Sequence, residues 1–102
     1  MGVDRRLTAK RVDFLKVAST TASVSFKTAL TEDELLQALL TGKVPTARRP
    51  HLRVVLEESS RPVIKGLLDQ VTQWSTPDKV ARNLRRLAAV LGVPESAEKW
   101  FV

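Results

Sequence analysis

A chain of 102 residues, 43% of them hydrophobic, has material for one core, and it contains no apolar run of the roughly 18 positions that a membrane span needs. It has no cysteine, which excludes disulfides, thiolate metal sites and a cysteine nucleophile. The balance of 17 Lys and Arg against 11 Asp and Glu gives a net charge of +6 and favours polyanionic partners, because each phosphate neutralised by a cation releases a condensed counterion.

The first segment, Asp4 to Ala18, reads as a helix with Leu7, Leu15 and Ala18 on one side, although Val12 and Phe14 alternate as in a strand. From Thr21 to Lys27, Ala22, Val24 and Phe26 alternate with Ser23, Ser25 and Lys27, the pattern of a half-buried strand. Thr31 followed by Glu34 forms a capping box, and Leu35, Leu36, Leu39 and Leu40 continue it as a helix expected to end near Gly42. The prolines of the stretch from Gly42 to Pro50 suggest an extended loop. Beyond it, Leu52, Val54 and Leu56 alternate with Arg53, Val55 and Glu57 and predict a second strand.

Ser60 and Pro62 mark a helix start, with Val63, Ile64, Leu67, Leu68, Val71 and Trp74 along one side. Gly66 inside this helix costs about 1 kcal/mol relative to alanine, which implies a neighbour close enough to need the missing side chain. Thr76 and Pro77 open the next helix, whose seam is Val80, Leu84, Leu87, Ala88 and Leu91 and whose end is Gly92. The short connection between these two helices suggests an antiparallel pair. A last turn from Glu95 to Phe101 follows Pro94.

The expected fold is α+β and helix-dominated, with four to five helices and a small two-stranded β element; an all-α bundle is the alternative. No linker or internal repeat divides residues 1–102, which are read as a single domain. The opening residues lack an apolar signal-like region, so a cytoplasmic setting is expected.

Charge is unevenly placed, with basic blocks over residues 1–27, 43–53 and 75–94 and acidic residues Glu32, Asp33 and Glu34 between the first two. On the helix from Pro77, Lys79, Arg82, Arg85 and Arg86 lie opposite the leucine seam at 100° per residue and form one basic face. Arg48, Arg49, His51 and Arg53 make a second cluster on the presumed loop and strand, and Arg5, Arg6, Lys10 and Arg11 a third. Each cluster can equally be a solvated surface. No aromatic residues interleave with these blocks, so the stacking platform of a single-strand binder is not expected, and contact with a duplex or with the phosphate backbone fits better.

The segment from Leu87 to Phe101 resembles the corner of a helix-turn-helix, with Ala88, Gly92 and Val93 at the small, turn and apolar positions. Glu98 falls where a recognition helix buries an apolar group, and Glu95 and Glu98 set negative charge where phosphates would lie. An ordinary helix-glycine-helix corner is therefore the expectation.

One histidine and no cysteine cannot build a zinc site or a catalytic triad, and the three acids that open a helix are what its dipole favours. No enzyme, metal or cofactor is expected. The function expected first is a non-enzymatic protein, regulatory or not, that associates with DNA or RNA by phosphate contacts through Arg48, Arg49, Arg53, Lys79, Arg82, Arg85 and Arg86. The alternative is a protein-interaction module, an assembly subunit, adaptor or inhibitor, anchored by Trp74, Trp100 and Phe101. Burial of Trp100 and Phe101 in the chain's own core is the competing expectation for that pair, and a homodimer is compatible with either function.

Overall fold

A computed structural model describes residues 13–101, and among these the chain forms six α-helices and two 3-10 turns with no strand. The helices are α1 (Phe14–Ser23), α2 (Glu32–Thr41), α3 (Arg49–Glu58), α4 (Arg61–Val71), α5 (Pro77–Leu91) and α6 (Pro94–Glu98). The 3-10 turns are Thr46–Arg48, leading into α3, and Lys99–Phe101, following α6. No helix among the described residues is long and apolar enough to cross a membrane.

Among the described residues the expected two-stranded element does not form, six helices replace the expected four to five, and the all-α alternative is the architecture. Residues 21–23 finish α1, whose buried side is Leu15, Ala18, Ser19 and Ala22, a helical spacing. Val24, counted as the middle of an inward strand face, is 79% exposed on the turn beyond the helix. The second predicted strand lies within α3, where the buried residues are His51, Leu52, Val55 and Leu56. The apparent alternation of Leu52, Val54 and Leu56 mixed two buried positions with a half-buried one. Pro50 stands in the first turn of α3, where a missing backbone N–H costs nothing, so the expected extended loop stops short. Of the predicted helix from Asp4 to Ala18, residues 4–12 lie outside the described residues, and the remainder starts α1 at its N-cap Asp13.

The other helices form where their end signals stand. Thr31 Oγ1 accepts the Glu34 N–H at 3.1 Å while the Glu34 carboxylate accepts the Thr31 N–H at 3.0 Å, closing the capping box of α2. Gly42 and Gly92 end α2 and α5 in the left-handed conformation, both at φ 74°. Leu39, Leu56, Leu67 and Leu84, one from each of α2 to α5, are completely buried in a shared cluster, which Val93 and Trp100 close from the C-terminal side. α3 lies at its centre, against α1, α5 and α6. The expected pairing of α4 with α5 is slight: α4 packs chiefly on α1, and α5 on α2 and α6.

α1 and α4 are locked at the start of α1. Phe14 lies over Gly66, where a Cβ atom would meet its ring at 2.2 Å. That is the close neighbour which a glycine inside an apolar helix implied. One turn further, Gln70 Oε1 accepts the N–H groups of Phe14 at 3.0 Å and Leu15 at 3.2 Å, and Gln70 Nε2 donates to Asp13 Oδ1 at 2.9 Å. A residue 56 positions away thus satisfies orphan donors at the first turn of α1. The Gln70 amide also holds the Asp13 carboxyl below the usual aspartate range.

Two measurements test this packing. Gly66→Ala should destabilise the protein by about 1–2 kcal/mol in urea, because the clash with Phe14 outweighs alanine's better helix propensity. In a Phe14→Ala background the same change should become stabilising, and destabilisation of equal size in both backgrounds would refute the contact. The Thr31 N–H and Arg48 hold Glu34 below the usual glutamate range. A carboxyl lowered in this way adds stability that is complete above the ordinary glutamate value and is lost as the pH falls through the lowered one. Glu34→Gln should therefore narrow the difference in urea midpoint between about pH 6 and about pH 3.

Candidate nucleic-acid interface

α5 is the longest of the described helices, at 15 residues, and its two sides differ completely in chemistry. Thr76 caps it by accepting the Lys79 N–H at 3.2 Å, and Val80, Asn83, Leu84, Leu87 and Ala88 form its buried stripe. Asn83 is the polar member of that stripe, and its Nδ2 donates to the Leu39 carbonyl at 2.9 Å, fixing α5 against the end of α2. With the rotation about the axis so fixed, Lys79, Arg82, Arg85 and Arg86 all fall on the exposed side. At 100° and 1.5 Å per residue they occupy an arc of about 120° opposite the core and run for about 10 Å along the axis. Asp78 is the only acid on the helix. None of the four cations forms an ion pair among the described residues.

Both flanks of this face are defined. On one, the left-handed turn at Gly42 presses against α5 so closely that a Cβ there would lie 3.0 Å from Asn83 Oδ1 and 3.2 Å from Arg86 Cδ. The exposed Lys43 follows immediately and extends the basic surface onto the α2–α3 connection. Lys43 belongs to the basic block of residues 43–53 but is not among the contacts that the sequence singles out, although a helix-ending glycine followed by a lysine was there to see. On the other flank the Arg85 guanidinium lies 4.5 Å above the Phe101 ring, a cation–π contact that orders an otherwise mobile side chain.

The second basic cluster does not act as a unit. Arg48 is drawn inward, with Nε 3.2 Å from Glu34 Oε1 and Nη1 3.4 Å from Thr28 Oγ1, so it braces the start of α2. Arg53 pairs with Glu57 one turn along α3 at 3.2 Å, and Arg49 is exposed. His51 is 2% exposed, stacked on Phe26 with ring centroids 4.0 Å apart. Its Nε2 donates to the Thr28 carbonyl at 2.7 Å, since a carbonyl can only accept, and Nδ1 is buried without a partner among the described residues. His51 therefore ties α3 to the α1–α2 connection. Arg5, Arg6, Lys10 and Arg11 lie outside the described residues.

The three candidate anchors for a protein partner separate as well. Trp100 is 2% exposed and its Nε1 donates to the Leu56 carbonyl at 3.2 Å, while Lys99 Nζ donates to the neighbouring Glu57 carbonyl. The end of the chain thus satisfies the end of α3. Phe101 is half-buried beneath Arg85, and Trp74 is 55% exposed in the α4–α5 connection.

No group of three or more His, Cys, Asp or Glu side chains among the described residues could hold a metal ion. No family model, curated protein or solved structure matches this chain.

Trp100 should behave as a core residue. Trp100→Ala is expected to cost about 3–5 kcal/mol in urea denaturation, the range for an aromatic removed from a packed interior with its hydrogen bond. A loss below about 1 kcal/mol would make it a surface anchor instead.

Proposed function

We propose that the protein is a non-enzymatic nucleic-acid-associated protein of the cytoplasm that makes phosphate contacts through the exposed face of α5. One observation carries this reading: Lys79, Arg82, Arg85 and Arg86 share one outward face with no ion pair among the described residues, while α5 is anchored from behind by Asn83. Guanidinium groups suit this task because their planar fork meets a phosphate through two hydrogen bonds and never loses its charge. Their chemistry is binding and orientation. Lys43 and Arg49 add exposed charge on the α2–α3 side, whereas Arg48 and Arg53 are occupied by Glu34 and Glu57.

A second reading, a protein-interaction module, is supported by Trp74, which is 55% exposed. It loses two of its three anchors, because Trp100 is buried and Phe101 is covered by Arg85. The charged face is therefore preferred over the aromatic one.

Binding to a fluorescent oligonucleotide, followed by anisotropy over a range of salt, tests the proposal. Four phosphate contacts on duplex DNA give a slope of log K against log salt of about −3 to −4. Arg82→Ala and Arg86→Ala should each make the slope shallower by about 1, and Arg48→Ala should leave it unchanged. Flat salt dependence, or no binding at low salt, refutes the reading.

A further inference from the structure

We infer that the partner seated on α5 is B-form duplex DNA rather than a single strand or an RNA helix. This rests on the proposed nucleic-acid reading and adds the form of the polymer, which two independent observations decide.

The first is what has become of the aromatic side chains. Proteins that hold single strands stack successive bases on several open aromatic faces. The chain has five aromatic residues, three Phe and two Trp, and four are engaged internally. Phe14 covers Gly66, Phe26 is stacked on His51, Trp100 is buried with its N–H on Leu56, and Phe101 is roofed by Arg85. Trp74 alone stands open, and it lies in the connection before α5 rather than on the basic face. One indole can take one base and cannot hold a strand. A double helix needs no stacking partner, because its bases already stack on one another, and it offers a phosphate for about every 1.7 Å of axis.

The second is the shape of the cationic surface. Its charges radiate from the outward side of a single helix, in an arc opposite the core. With side chains, such a helix is about 10–12 Å across, which fits the B-form major groove of about 12 Å. The A-form major groove of an RNA duplex is deep and narrow and does not admit it. Beyond Arg85 and Arg86 the same arc carries the exposed Ala89, small enough not to obstruct a groove wall, and at its other end the exposed Asp78, one turn before Arg82, which leaves the arc with four cations against one acid. Lys79 and Arg86 at one edge of the arc and Arg85 at the other face the phosphates on the groove's two rims, with Arg82 between them.

The test compares a duplex DNA, one of its single strands and an RNA duplex of the same sequence, at equal salt, by anisotropy. A hexalysine peptide measured alongside supplies the preference that charge density alone produces. Duplex DNA should bind at least about 10-fold more tightly than either rival, and this margin should exceed that of hexalysine. Arg82→Ala combined with Arg86→Ala should weaken the duplex complex at least about 10-fold, and Trp74→Ala should change it less than about twofold. Equal or tighter binding of the single strand or of RNA overturns the inference and leaves the nucleic-acid reading standing. So does a Trp74→Ala loss as large as that of the arginine pair. Failure of every polymer to bind at low salt overturns both.

Discussion

The last carbonyls of α3 have no partners inside their own helix, and the way they are satisfied organises the molecule. Leu56 and Glu57 accept hydrogen bonds from Trp100 and Lys99, residues more than forty positions further on, while His51 in the first turn of α3 donates to Thr28. A helix of 10 residues is too short to be stable alone, and α3 has no side-chain cap at its start and, from its own end, only the Ser59 hydroxyl, which donates to the Val55 carbonyl at 2.6 Å. Its neighbours on both sides therefore complete it. Because the C-terminal turn must meet α3, Phe101 is placed where Arg85 can lie on it. The order of the basic surface thus depends in part on the needs of a buried helix end.

The same dependence explains which elements could be read in advance. α2 and α5 carry their own instructions: a Thr that caps the first turn, an apolar stripe of helical spacing, and a glycine able to turn left-handed at the end. Gly66 also announced its own reason, a close neighbour, though not that the neighbour was Phe14. α3 carries weaker local marks, Pro50 in its first turn and the Ser59 hydroxyl on the Val55 carbonyl, while its other end partners are remote and its paired valines and alternating leucines imitate a strand. At the end of α1, serines and threonines interspersed with apolar residues gave the same imitation. There Ser23 instead turns its hydroxyl to the Ser19 carbonyl at 2.6 Å and accepts the Leu30 N–H at 2.9 Å, which folds the chain back on the helix.

The candidate interface was legible to the extent that it lies within one helix. Rotation at 100° per residue placed Lys79, Arg82, Arg85 and Arg86 together, and the structure agrees that they are exposed. The strand reading of α3 hid the neighbour of Arg53: four residues along a strand separate two side chains by about 13 Å, but four along a helix bring them within one turn. Only as a helix does α3 allow Arg53 to meet Glu57. Arg48 was beyond local reasoning, because its partner Glu34 belongs to another helix. Trp100, Phe101 and Trp74 look alike in sequence and differ in the structure because their neighbours do.

The clasp between α1 and α4 has a consequence for the order of events in folding. The first turn of α1 is completed by Gln70, so the loop closed by that contact spans more than half the chain. Such a closure costs configurational entropy that nearby contacts do not repay, and contacts of this kind tend to form late. α1 has no acidic residue in its first turn and no basic residue in its last, so its local support before α4 arrives is the N-cap carboxylate of Asp13, which accepts the Lys16 N–H at 3.3 Å. α1, made on the ribosome before α4, is in this sense a late participant: it waits for a glutamine that has yet to be synthesised.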